Sequence, residues 1–309
     1  MIIKMNSLRI MPVYALLFTG IILIWCCESD NGTEGVIDID LDSSGIIAFT
    51  SGRDGNNEIY VMKSDGSEQT RITYHPANDM SPDWSPDGHK LAFISDRNGS
   101  MDIFIMNADG SNPVCITPGS EGFDGYPCWS PDGTRILFTS DRTGDWEVFI
   151  MDVDGSNVQQ ITFNQATSEA GSFSPDGNRI VINVGSGFND QEIYIMDIDG
   201  SNVIQLTFNN LPDILPKWSP DGQHIVFSSS DSHDTEGIFI INTDGSGRQA
   251  IVERLTNDFD PCWSPDGNYV AFQTAYDNNN DEVAIVHITS GTITRLTNSL
   301  EWDSTPAWK

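Results

Sequence analysis

A Pro-Asp-Gly corner recurs at fixed spacing, each period holds four strand-like runs, and the last run has no partners beside it. These three observations predict an all-β fold, a six-bladed β-propeller with four antiparallel strands per blade. The C-terminal strand is expected to join blade 1 and close the ring.

The first 27 residues read as a lipoprotein-type export signal. Lys4 and Arg9 precede an apolar run, Met11 to Trp25, that ends at "CCESD". The run is short for a membrane span and has the charged and apolar regions of an export signal. Cys27 is the expected lipidation site, because Cys26 places a small residue before it, whereas Cys26 itself follows bulky Trp25. An uncleaved anchor or an ordinary secretory signal is the alternative. Residues 28–44, "ESDNGTEGVIDIDLDSS", are polar and acidic and read as a tether to the domain at 45–309.

Blade 1 begins at "GIIAFTS" (45–51) and lacks an inner strand of its own. From there the repeat takes over. "WSPDG" occupies 84–88, 129–133, 218–222 and 263–267, and "FSPDG" occupies 173–177; the final glycines are 45, 44, 45 and 45 residues apart. The unit at 125–162 shows the content of one period: "YPCWS", "RILFTS", "EVFIM" and "VQQIT", each bounded by turn residues. Ser130-Pro131-Asp132-Gly133 suits a type I turn, with Pro131 presetting φ and Gly133 at the exit. Asp154-Gly155 is a hairpin signal, repeated at 65–66, 109–110, 199–200 and 244–245. The inner-strand aromatics Trp84, Trp129, Phe173, Trp218, Trp263 and Trp308 count six blades. "TPAWK" (305–309) supplies the inner strand that blade 1 lacks, leaving no open edge.

Residues 93–117, "FISDRNGSMDIFIMNADGSNPVCIT", carry a resemblance to the TolB-type β-propeller, within the family of WD-like Pro-Asp repeats. The resemblance extends over about 265 residues. It implies the six-bladed fold and a protein-binding role in the cell envelope. The α/β domain that precedes the propeller in TolB is not expected here. Similar propellers also accompany peptidases, but no G-x-S-x-G occurs.

No enzyme is expected. H-E-x-x-H, S-x-x-K and Walker patterns are missing, and His75, His89, His224, His233 and His287 fall at unrelated repeat positions. No cofactor or metal is assigned. Calcium is the alternative at "DVDGSN" (152–157), "DIDGSN" (197–202) and "DIDLDSSG" (38–45), but none has both the closing carboxylate and the sixth-position glycine of a calcium loop, and the first two are hairpin turns by repeat position. Arg53, Arg97 and Arg142 end the second strand of blades 1 to 3 and are expected to pair with Glu58, Asp102 and Glu147 across the hairpin. Cys115, Cys128 and Cys262 are expected to be free and mostly buried.

With 45 acidic against 15 basic residues the net charge is −30, which disfavours nucleic acid and anionic bilayers. Membrane contact is expected only through the N-terminal lipid. The loops on the face opposite the Pro-Asp-Gly corners are the expected binding surface. Aromatics there are Trp146, Trp302, Phe123, Tyr126 and Tyr276; acids include Glu121, Asp124, Asp258, Asp260, Glu301 and Asp303, with Asp79 and Asp213 nearby. Aromatics among acids suit a basic protein or peptide, or a sugar stacked on tryptophan. Asp83 and Lys217 share a repeat position in opposite blades and are candidates for the channel wall. The expectation is a monomeric, non-catalytic scaffold, periplasmic or anchored in the outer membrane, that binds an envelope protein or peptide. A carbohydrate-binding or carbohydrate-processing propeller is the alternative.

Overall fold

The computed structural model describes residues 45–309 except 120–121, 164–165, 188–189, 210, 231–234, 254–255 and 277–279. The export signal, the tether, Cys26 and Cys27 lie outside the described residues. Six four-stranded antiparallel sheets form the fold. Blade 1 contains β1 (Ile46–Ser51), β2 (Glu58–Lys63) and β3 (Thr70–Arg71). Blade 2 contains β4 (Asp79–Trp84), β5 (Lys90–Ser95), β6 (Asp102–Asn107) and β7 (Val114–Cys115). Blade 3 contains β8 (Asp124–Trp129), β9 (Arg135–Ser140), β10 (Glu147–Asp152) and β11 (Gln159–Gln160). Blade 4 contains β12 (Thr167–Phe173), β13 (Arg179–Gly185), β14 (Glu192–Asp197) and β15 (Ile204–Gln205). Blade 5 contains β16 (Asp213–Trp218), β17 (His224–Ser230), β18 (Glu236–Asn242) and β19 (Gln249–Val252). Blade 6 contains β20 (Asp258–Trp263), β21 (Tyr269–Tyr276), β22 (Asn280–His287) and β23 (Ile293–Arg295). The last strand, β24 (Asp303–Trp308), pairs with β1 and completes blade 1.

The closure is a register of named pairs. Trp308 lies opposite Ile47 and Asp303 opposite Ser51. Beyond the strand, Lys309 N donates to Ile46 O at 3.0 Å and Ile46 N to Lys309 O at 3.1 Å. β1 is thereby paired on both sides, by β24 and β2.

The middle strands read as unbroken apolar runs because both faces of each blade are covered. Every residue of "IIAFTS" in β1 is buried. Six clusters fill the spaces between neighbouring blades; in one, Ile46, Ile59 and Val61 of blade 1 meet Trp84, Leu91 and Phe93 of blade 2. Outer strands are short, and in every blade but the fifth a threonine after the outer strand hooks it to the third strand. Thr73, Thr117, Thr162, Thr207 and Thr297 accept backbone N–H bonds from Ile59, Ile103, Val148, Ile193 and Val283 at 2.8–2.9 Å.

The corner residues are used by the corner itself. Gly88 N donates to Ser85 O at 2.8 Å, closing the turn. Ser85 Oγ donates to Asp87 Oδ1, which also accepts His89 N. Gly88 has φ of 70°, a region that penalises any side chain with a Cβ.

The arginine pairing differs from expectation. Arg53, Arg97 and Arg142 reach Asp303, Asp79 and Asp124 at 2.7–2.8 Å, on the inner strand of the same blade, and not Glu58, Asp102 and Glu147. Each Nε donates to the serine two residues earlier (Ser51, Ser95, Ser140), which turns the guanidinium inward. The guanidinium then covers a pair of aromatic rings, such as Phe93 and Phe104 at 5.5 and 4.7 Å. Glu58 and Glu147 bond instead to Thr73 and Thr162. The three cysteines are free; Cys128 is buried, whereas Cys115 and Cys262 are only half-buried.

Candidate functional site

Every inner strand carries a bulge at the same place, and these bulges shape a channel on the ring axis. In β4, Met80 pairs with Ile94 and Asp83 with Ala92, so Ser81 and Pro82 together oppose one residue. The same irregularity recurs in the five other inner strands. Ser81, Tyr126, Leu215, Asp260 and Thr305 each precede proline and take φ of 46–55°, a costly conformation for residues with a side chain. Together with Ala170 of blade 4 they form one ring in the channel wall. A second ring comprises Asp83, Cys128, Ser172, Lys217, Cys262 and Ala307. Pro86, Pro131, Pro175, Pro220 and Pro265 of the corners line the end of this cavity of about 480 Å³.

The electrostatics of the channel are dominated by carboxylates. Asp83 accepts Trp129 N at 2.8 Å, latching blade 3 to blade 2. Burial pushes its carboxyl up to about 6, against the opposing pull of Lys217. Burial likewise pushes Asp260 up to about 6, with Lys217 opposing and Asp281 and Glu169 adding to the rise. Both acids are half-buried in the channel wall. Lys217 Nζ donates to Gly171 O at 2.9 Å. The thiols of Cys128 and Cys262 are pushed up to about 12 by burial, so both are neutral. Asp83 and Lys217 therefore do face the channel from opposite blades.

On the loop face an aromatic ladder descends toward that channel. Trp146 precedes β10 and stacks on Phe123 with ring centroids 5.1 Å apart and planes 2° from parallel. Phe123 in turn meets Tyr126, the bulge residue of β8, at 5.9 Å. Phe123 N donates to Asp141 Oδ1 at 2.7 Å, which holds the ladder's middle rung. Met80 and Met101 of blade 2 pack into the same cluster as Phe123. All three aromatics are half-buried, leaving exposed ring area beside the core.

Trp302 occupies the repeat position of Phe123 but takes a different course. Its blade has Gly52 where blade 3 has Asp141, and a Cβ on Gly52 would lie 2.9 Å from the indole Nε1. The missing side chain lets the indole lie over β1's end, and Trp302 O accepts Gly52 N at 2.9 Å. Trp302 therefore stands apart from the ladder.

The acids named with these aromatics divide into three groups. Asp124, Asp258 and Asp303 are fully buried at the head of their inner strands, as are Asp79 and Asp213. Asp124 and Asp303 are consumed by the arginine pairs, so none of this group offers a surface to a partner. Asp260 lines the channel, and Glu301 is exposed. Glu121 and the side chain of Tyr276 lie outside the described residues. The sequence reading missed Leu215, Thr305 and Ser81 as channel residues. The signal was available: an X-Pro step three residues before the inner-strand aromatic.

Among the described residues no three His, Cys, Asp or Glu side chains gather into a group that could hold a metal ion. His75 and His89 are exposed, and His224 and His287 half-buried, at separate sites.

Comparisons with known proteins agree with this architecture. The chain is 44% identical over 48 residues to "Tol-Pal system protein TolB" of Geobacter sulfurreducens, a segment covering 16% of this chain and 11% of that protein. The crystal structure of TolB from Acinetobacter baumannii superposes with a TM-score of 0.75 at 23% identity, over 85% of this chain and 66% of that one. A putative TolB from Agrobacterium tumefaciens gives 0.67 at 23% identity, over 82% and 88%. At such identities these structures bear on the fold alone. The family model described as "TolB beta propeller domain" matches residues 42–121, 100–191 and 182–309, and by that span the chain belongs to the TolB β-propeller family.

Proposed function

We propose that this protein is a non-catalytic interaction scaffold of the bacterial cell envelope, exported and lipid-anchored at Cys27, that binds a protein or peptide at the loop-face mouth of its channel. The observation that carries the reading is the ladder of Trp146, Phe123 and Tyr126, a stacked apolar platform half-open to solvent beside the mouth. Platforms of this kind supply the anchors that dominate protein interfaces. The family supports the same role, since its curated relative is described as part of a Tol-Pal system. A net charge of −30 favours a basic partner.

The test is crosslinking from position 145 in intact envelopes, with Trp146→Ala and Trp302→Ala compared in parallel, and a glycan array beside it. The expected result is a discrete crosslinked protein whose recovery falls at least tenfold in Trp146→Ala and little in Trp302→Ala. Specific glycan binding that disappears in Trp146→Ala would replace this reading with the carbohydrate one. Labelling with a radioactive fatty acid, lost in Cys27→Ser, tests the anchor.

A further inference from the structure

We propose that the channel itself is a binding site for an organic cation, a primary ammonium or guanidinium such as a lysine or arginine side chain, seated between Asp260 and Tyr126. These two residues share one repeat position in opposite blades, so they face each other across the axis in the same bulge ring. The carboxylate of Asp260 has no hydrogen-bond or ion-pair partner among the described residues. Its backbone is held at φ of 49° before Pro261, where the other blades place Ser, Tyr, Ala, Leu or Thr. A half-buried carboxylate in the channel wall, strained and unpartnered among the described residues, does nothing for the fold, because an amide or a hydroxyl would cost less there.

The surroundings select the sign of the ligand. Asp83, Glu169 and Asp281 add negative potential to that of Asp260, and Cys128 and Cys262 are neutral. Lys217 is the opposing charge, and its Nζ is already donated to Gly171 O. Tyr126 brings an aromatic ring to the channel wall, and its hydroxyl is kept protonated by burial and by the nearby Asp260 and Glu169. Access from the corner face passes the five corner prolines. The aspartates that follow four of them, Asp87, Asp132, Asp176 and Asp266, are held ionised by serine hydroxyls and backbone N–H groups, so the entrance is anionic too.

The experiment is a titration of the protein with butylammonium and butylguanidinium, with butanol and butyrate as neutral and anionic controls, read from the methyl resonances of Leu215, Thr305 and Ala307. Saturable shifts with the two cations alone are expected, weakened at least tenfold in Asp260→Asn, several-fold in Tyr126→Leu, and strengthened in Lys217→Met. Equal affinity for butanol or butyrate overturns the proposal, as does an Asp260→Asn protein that melts normally and binds the cations as tightly as the wild type. This site goes beyond the loop-face reading and stands or falls separately. If cations bind but no partner depends on Trp146, only that docking role fails; if a partner is captured and cations do not bind, only the channel site fails.

Discussion

The two faces of the ring obey different rules. On the corner face five turns are near copies, each closed by the same serine, aspartate and glycine. On the loop face, the residue just before the acid of each third strand (Glu58, Asp102, Glu147, Glu192, Glu236 and Glu282) is Asn57, Met101, Trp146, Gln191, Thr235 and Asp281 in blades 1 to 6, no two alike. The bulge ring behaves the same way: a proline follows in five blades, but the side chain offered to the channel changes every time. Where physics asks every blade for the same turn, the residues repeat. Where the backbone only needs a bulge, the side chain is free to differ, and the binding chemistry collects there.

The largest expected effect falls on the repeated part. Deleting residues 305–309 removes Trp308 and the backbone bonds of Lys309, and opens β1 to solvent. The domain should unfold or lose most of its cooperative transition in a thermal melt followed by circular dichroism. A truncated protein that melts like the full chain would break the distinction between the faces.

Next come the pairs between buried strand-head aspartates and partly exposed arginines. Arg142→Ala strands the fully buried Asp124 and should cost about 3 kcal/mol in urea unfolding. Blade 5 lacks an arginine at this position and borrows Arg248 from the turn before its outer strand; that residue reaches Asp213 at 3.4 Å and covers Phe239 at 4.2 Å. The looser pair predicts a smaller loss for Arg248→Ala, about 1–2 kcal/mol. Equal losses would show that the aromatic cover, not the ion pair, dominates.

A third effect has the opposite sign. Asp260 titrates near 6 in the fold and near 3.8 when unfolded, so its charged form opposes folding above about pH 6 and the penalty is gone below about pH 4. Asp260→Asn should therefore raise the melting temperature at pH 7.5, with the gain vanishing by about pH 4. Asp83→Asn should gain less, because Asp83 also holds Trp129 N. A stabilisation by Asp260→Asn that persists at pH 4 would place its cause outside the titration.

The smallest change in stability belongs to the ladder. Trp146 lies on the rim of the core, and Trp146→Ala should cost under about 1 kcal/mol while abolishing partner capture. Loss of both together would make the ladder a structural cap.

The sequence reading and the structure part company at two kinds of residue. Along the chain the arginines face the acids across the hairpin, but a second strand has two neighbours. Ser51, Ser95 and Ser140 choose the inner one. The loop-face acids looked equivalent along the chain, yet Asp258 and Asp260, two positions apart, end in a buried strand head and in the channel. A bulge between them changes which way the strand presents its side chains, and one-dimensional spacing does not contain that.

The sequence alone determined the blade number, the corner chemistry and the closure by the tail, because those follow from local turn preferences repeated at a constant period. Only the tertiary structure decided which carboxylates are spent on arginines, which face the axis, and that Trp146, Phe123 and Tyr126 stack while Trp302 lies apart over Gly52. These outcomes depend on contacts between strands and blades far apart in the chain, where one missing Cβ or one bulge redirects a side chain.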